Sequence, residues 1–339
     1  MNATENVKIK KETKNKIRVE FDRTSAWTRF KLKYLSLRFL GLVVFKLFRL
    51  VLLLGVSYVI LFPFISKIAS SFMDPMDFVD STVKLIPKNP TLNTYKQIII
   101  ENKYFEAMIN TTILSLLCGL IQTFVCCVVG YGFGKYKFRG HKVLFALMLF
   151  TMIVPHQTLQ LSIFMKFKYF DLFGIFELLG LGTFDLNNTY WPMAIMSISG
   201  LAFKNGLYIY MMRQFFRGVP DSLEESAYID GSGTFRTFIQ IILPLSIPMM
   251  ITVFLFAFSW QWTDSFYTGL FFNGRNSILL SKIVSIPRTL DTNYAGGNLF
   301  AAAIRNTCGI LIIAPLIVVY LFCQRYLIQG IERSGITGE

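Results

Sequence analysis

Ionisable side chains are scarce: Asp, Glu, Lys and Arg make up only 16% of the 339 residues, and the histidines are two, His141 and His156. So few charges cannot clothe a chain of this length in a solvated surface. There is no His-Glu-x-x-His and no Gly-x-Ser-x-Gly, which removes the usual signatures of a metallohydrolase and of a serine hydrolase. The five cysteines are Cys118, Cys126, Cys127, Cys308 and Cys323, all inside or at the edge of apolar runs, and no Cys-x-x-Cys occurs. They read as small buried hydrophobes, not as zinc ligands or a disulfide framework. Acids are fewer than bases, 20 against 34, for a formal charge of +14. No RNA-binding motif or basic domain interleaved with aromatics accompanies that charge, so nucleic acid is not the expected partner.

What is abundant is apolar. Hydrophobic residues are 53% of the chain, aromatics 16%, with 34 Phe and 15 Tyr, and the mean hydropathy is +0.50. The apolar residues gather in runs of about 20, the length an α-helix needs to cross the hydrocarbon of a bilayer. We therefore expect an all-α integral membrane protein with six spans, near 50–72, 106–133, 143–165, 190–211, 239–263 and 304–324. The amino terminus is no cleavable signal, because its apolar run begins after more than 40 mostly polar and basic residues.

Charge placement sets the orientation. Thirteen of the 34 Lys and Arg lie in the first 49 residues, and basic segments beside a first span stay in the cytoplasm. Residues 1 to about 30 are polar and Lys-rich, and from Lys31 to Arg49 basic and apolar residues alternate, as in a helix lying at the cytoplasmic face. The stretch with Lys135, Lys137, Arg139 and Lys142 is also cytoplasmic, so both termini are expected inside. This gives a basic cytoplasmic segment at 1–48, a six-span domain at 49–326 and a cytoplasmic tail at 327–339.

One cytoplasmic loop breaks the charge rule. Between spans four and five, Arg213, Arg217 and Arg236 face Asp221, Glu224, Glu225 and Asp230. Ser222 and Glu225 stand at capping-box spacing, which predicts a helix start there. Gly231 predicts its end, and Pro244 and Pro248 can kink the helix that follows. The product is a short surface helix set at an angle to span five.

Here the residues carry a resemblance. Glu225-Ser226-Ala227, Asp230-Gly231 and, after nine residues, Ile241-x-Leu243-Pro244 resemble the "EAA" signature of ABC importer permeases, Ser226 standing where an alanine is usual. Tyr131-Gly132-Phe133-Gly134-Lys135 through Phe138-x-Gly140, Asn205-Gly206 through Met212-Arg213-Gln214-Phe215-Phe216, Trp260-x-Trp262-Thr263-Asp264 and the glycine-bearing end from Gln324 to Gly338 are similar to the carbohydrate branch, in particular the second permease of maltose-type systems. The sequence departs from that pattern at Thr263, Thr94 and in its long amino-terminal segment.

The resemblance implies a type I ABC importer transmembrane domain without catalysis of its own. It implies a second, homologous permease as heterodimer partner, two ABC ATPase subunits that carry ATP and magnesium, and an extracytoplasmic solute-binding protein. The substrate it implies is an oligosaccharide or glycoside, with glycerol phosphate or a polyol as the alternative, and the place is a bacterial cell membrane. Leu223, Glu224, Glu225, Ser226, Ala227, Asp230, Gly231, Leu243 and Pro244 of the loop 220–244 would couple to the ATPase. The tail Gly335–Glu339 would touch the ATPase pair.

Polar residues inside spans usually face a cavity or another helix. Those chosen as the substrate pathway are Asn110, Thr112, Gln122, His156, Gln157, Gln160, Trp260, Gln261 and Trp262, since an aromatic face beside amides suits a sugar ring with its hydroxyl rim. The rival of another class is a membrane-embedded enzyme, and an ion channel lacks support because no selectivity loop or repeated intramembrane acids occur. The run Gly130-Tyr131-Gly132-Phe133-Gly134-Lys135-Tyr136 lacks the first glycine and the Ser or Thr of a phosphate loop, so it reads as a closely packed helix end.

Overall fold

The computed structural model describes residues 37–200, 203–273 and 278–335, with side chains from residue 41 to 326. The described residues are helical, with two isolated β-bridges, Met73 with Pro90 and Phe170 with Phe184, and no strand. Contacts divide the chain into two units, up to Lys67 and from Ile68 onward. The polar stretch before residue 37 and residues 336–339 lie outside the described residues.

The first unit holds most of α1, Leu37–Ser71. It runs through position 49 with no break between the basic-apolar stretch and the span. Its large apolar side chains, such as Phe45, Leu54 and Val59, are exposed. In water that surface would be costly, and against lipid tails it is the matching solvent.

In the second unit the helices are α2 (Asn93–Glu101), α3 (Tyr104–Lys135), α4 (His141–Ile153), α5 (Gln160–Lys168), α6 (Ile175–Leu178), α7 (Trp191–Ser199), α8 (Asn205–Gly218), α9 (Ser222–Ile229), α10 (Thr234–Thr237), α11 (Leu243–Trp262), α12 (Phe266–Phe271) and α13 (Gly297–Gly335). Four stretches are long and apolar enough to cross a bilayer unbroken: 41–71, 104–135, 234–262 and 297–326.

Two of the six expected spans are not straight. The third, expected at 143–165, bends by 92° between α4 and the short helical turn from His156. Pro155 has no N–H to continue the ladder and forces Val154 into extended backbone, φ −65° and ψ 120°. The fourth, expected at 190–211, is divided into α7 and α8, with Gly200 closing α7 at φ +68°. A left-handed residue ends a helix, and glycine accepts that conformation without strain. The start of the fifth span widens instead. Phe238–Ile242 forms a π-helical turn just before Pro244, the kind of bulge that accommodates a proline ring pressing on the preceding turn.

α3 is the central post. Its buried face of Cys126, Cys127 and Tyr131 packs with Tyr208, Met212 and Phe216 of α8 and Met249 and Val253 of α11, while Leu114 and Cys118 pack with Met193 of α7 and Phe271 of α12. The approach of α3 to α8 depends on two glycines one turn apart. A Cβ on Gly130 would stand 2.5 Å from Met212 Cβ, and one on Gly134 would stand 2.9 Å from Phe216 Cβ. Small residues at this spacing let helix backbones meet closely in a membrane, so the glycine-rich run is a packed helix end. Cys118, Cys126, Cys127 and Cys308 are buried and Cys323 half-buried, all free.

Candidate functional site: a short acidic helix and a polar cavity

The acidic loop forms a short helix, α9, held at both ends by different chemistry. At its carboxyl end Gly231 adopts φ +80°. The Gly231 N–H donates to the Tyr228 carbonyl at 3.1 Å and the Ser232 N–H to the Ala227 carbonyl at 2.9 Å. This pair of bonds is the Schellman termination, which needs a left-handed residue at that position. Glycine is therefore required there by geometry.

The amino end corrects the capping-box expectation. The cap is Asp221, no side-chain cap bond forms, and Ser222 is already inside the helix. Asp221 is diverted from capping by Lys135, whose ammonium donates to Asp221 Oδ1 at 2.5 Å and to the Val219 carbonyl at 2.6 Å. The Lys135 side chain is 5% exposed. That hydrogen-bonded ammonium holds the Asp221 carboxyl below its usual range.

The two adjacent glutamates point to different tasks. Glu224 is 8% exposed and accepts a hydrogen bond from the Tyr131 hydroxyl at 3.2 Å. Glu225 is exposed, as are Ser226 and Asp230. Ala227 is buried beneath them, while Leu223, Tyr228 and Ile229 stand outward, Ile229 at 86%. α9 thus seals one face with Glu224 and Ala227 and offers a mixed acidic and apolar face to the outside. Leu243 packs against the core at the start of α11, and Pro244 beside it is exposed.

Farther along α3 a cavity of about 410 Å³ opens. It gathers five of the nine pathway residues: Gln122 from α3, His156 and Gln157 from the bend at Pro155, and Trp260 and Gln261 from the end of α11. Non-helical backbone at membrane depth is tolerated where it lines such a space. His156 Nδ1 is hydrogen-bonded to the Tyr267 hydroxyl. Gln261 is 4% exposed, yet neither of its amide atoms has a hydrogen-bond partner among the described residues, nor has the hydroxyl of buried Tyr208. Buried polar groups without partners are uncommon and call for a polar guest.

Four expected pathway residues stand elsewhere. Asn110 donates to the Ile278 carbonyl at 3.0 Å and borders a different groove. Thr112 returns its hydroxyl to the Met108 carbonyl of its own helix. Gln160 is exposed outside the cavity. Trp262 is buried with its indole N–H on the Ile312 carbonyl at 2.9 Å, which makes it a packing residue. The cavity also contains residues that the polar-in-span criterion passed over. Lys204 lies at the start of α8, its ammonium 4.9 Å from the Trp260 ring centroid. Asp264 accepts the backbone N–H groups of Thr268 at 2.7 Å and Tyr267 at 3.4 Å, and burial raises its carboxyl above the usual range. Lys204 falls within the expected fourth span, 190–211, and Asp264 one residue past the fifth. Asp264 nonetheless closes the Trp260-x-Trp262-Thr263-Asp264 motif.

Comparison with known proteins places this arrangement. One chain of a bacterial ABC transporter involved in the import of the acidic polysaccharide alginate shares the fold, with a TM-score of 0.62 at 20% identity over 84% of this chain and 96% of that one. The galactooligosaccharides transport system permease protein GanQ of Bacillus subtilis is 27% identical over 86% of this chain and 95% of its own length. The maltodextrin transport system permease protein MalD of Streptococcus pneumoniae is 26% identical over 84% and 93%. Residues 126–333 match the family of binding-protein-dependent transport system inner membrane components, a span that includes α9 and most of the cavity. The chain belongs to that family: it is a multi-pass membrane permease subunit of an ABC transporter, and not an enzyme.

Proposed function

We propose that this permease forms half of the pathway of an ATP-driven importer for an oligosaccharide or glycoside. A second, homologous permease supplies the other half, an extracytoplasmic solute-binding protein delivers the sugar, and two ABC ATPases hold ATP and magnesium. The permease names of GanQ and MalD support the substrate class. The observation that carries the reading is α9, a short rod stopped by Gly231 with Glu225, Asp230 and Ile229 facing out. A rod of this kind fits a groove on a separate subunit, and Glu225 can pair there with a basic side chain.

In this reading the bent α4–α5 segment is the third crossing and the divided α7–α8 segment the fourth, giving six crossings with both termini in the cytoplasm. ATP-driven closure of the ATPases moves α9, and the two permeases rock between outward and inward openings. In the cavity Trp260 offers a flat apolar face, while Gln122, Gln157 and Gln261 supply amides for hydroxyls. The tail Gly335–Glu339 touches the ATPase pair.

The substrate class is tested by competition in proteoliposomes holding the full assembly. Uptake of a labelled maltooligosaccharide or galactooligosaccharide, blocked by unlabelled oligosaccharide and not by glycerol phosphate or a polyol, is expected. Blocking by glycerol phosphate alone would replace the sugar reading with the other.

A further inference from the structure

The docking helix is joined to the membrane post by two side-chain bonds that run in parallel. Tyr131 and Lys135 lie one turn apart at the inner end of α3, and Glu224 and Asp221 lie one turn apart at the start of α9. Tyr131 pairs with Glu224 and Lys135 with Asp221. Lys135 adds a bond to the Val219 carbonyl, so it grips the backbone entering the helix as well as its first carboxylate. The Tyr131 ring is held among Phe216, Phe238 and Tyr136, with centroid distances of 5.3, 4.7 and 5.5 Å. The Tyr131 hydroxyl cannot swing away without leaving buried Glu224 unpaired, while the Lys135 ammonium is itself buried and would lose both its acceptors, although Asp221 stands exposed.

The other end of α9 is built differently. Gly231 and Gly233 flank Ser232, and a Cβ at either glycine would meet nothing within 4 Å. The side-chain bonds from α9 to α3 are therefore at its amino end, while beyond its carboxyl end Ser232 meets the Thr237 hydroxyl of α10 at 3.0 Å. Helix α3 also carries Gln122 of the cavity, about 20 Å away for thirteen residues at 1.5 Å rise. Through Gly130 and Gly134, α3 is in turn locked to α8, which begins in the cavity at Lys204.

We propose that Tyr131 and Lys135 are positioning residues that fasten the docking helix to α3, so that a push on α9 reaches the cavity through α3 and α8. This rests on the reading of α9 as the ATPase-docking element. It assigns the glycine-rich end of span two a transmitting task separate from docking itself. Loss of the two bonds should leave the outward face of α9 able to bind an ATPase while freeing it from the helices that must move.

The test uses the full assembly with its binding protein, comparing Tyr131→Phe, Lys135→Met, the double variant and Lys135→Arg. Three quantities are read: ATPase retained on co-purification, ATP hydrolysed, and sugar taken up per ATP. The double variant is expected to retain the ATPase within about twofold and to hydrolyse ATP, with uptake per ATP reduced tenfold or more; Lys135→Arg keeps most of the coupling. Unchanged uptake per ATP in the double variant would overturn the proposal, and so would outright loss of the ATPase. Where Lys135→Met is not recovered folded in the membrane, Tyr131→Phe decides, since it removes one oxygen and leaves the ring in place. A drop of threefold or more in its uptake per ATP supports the proposal and no drop overturns it. Failure of the docking reading looks different: a cysteine placed at Glu225 would give no cross-link to the ATPase in the wild-type background.

Discussion

Tyr131 and Glu224, 93 residues apart in sequence, meet in a buried hydrogen bond of 3.2 Å. That contact turns Glu224 inward and leaves its neighbour Glu225 outside. Of two adjacent carboxylates on one short helix, one thereby has its partner in this chain, and the other is left for the separate subunit of the proposed reading.

Gly231→Val should abolish docking with little effect on insertion. At φ +80° a β-branched side chain costs on the order of 1 kcal/mol or more, and the two bonds of the Schellman turn are lost with it. Co-purification is expected to recover the variant permease in the membrane without its ATPase.

Glu225→Ala should show a milder form of the same defect. Its carboxylate has no partner to lose among the described residues, so thermal stability of the isolated permease should be unchanged. Removal of a charge-assisted contact of about 1.5 kcal/mol weakens ATPase binding by roughly tenfold. A fall in melting temperature without a fall in affinity would contradict the division of tasks between the two glutamates.

The α3–α8 contact predicts a contrast between glycines. Gly130→Ala drives a Cβ to 2.5 Å from Met212 Cβ, whereas the same change at Gly132 meets nothing within 4 Å. Overpacking of this kind costs about 1–3 kcal/mol. Thermal denaturation in detergent should register Gly130→Ala and leave Gly132→Ala near wild type.

Acid should release the amino end of α9 only at low pH. The Asp221 carboxyl is held below its ordinary value by Lys135, so its contribution is complete above the unfolded value of about 4 and is lost as pH falls through the lower folded value. Limited proteolysis of the loop from Val219 to Gly233 should therefore be constant from neutrality to about pH 4 and increase below it. An increase between pH 7 and 5 would count against the Lys135–Asp221 pair.

How much of this was readable in the sequence depended on whether a feature was local. Gly231 as helix terminator is a property of one residue and its neighbours, whereas hydropathy gives no sign of the bend at Pro155 because the apolar run continues past it. The capping box failed for a tertiary reason: Ser222 and Glu225 have the right spacing, but Lys135 arrives from α3 and shifts the helix start to Asp221. The cavity shows the same limit. Hydropathy singles out polar residues within spans, but only packing decides that Gln122 and Gln261 converge while Thr112 bonds to its own helix. Lys204 and Asp264 join them because α8 and α12 begin at the cavity rim, and it is the break of the fourth span after Gly200 that brings Lys204 there.

The most direct measurement is ATP-driven uptake of a labelled oligosaccharide in proteoliposomes containing either this permease alone or the assembly with its second permease, ATPases and binding protein. Accumulation by the full assembly, none by the lone chain, and none by an assembly carrying Gly231→Val is the expected result. Accumulation by the lone chain, or undiminished accumulation with Gly231→Val, would contradict a half-pathway driven through its docking helix.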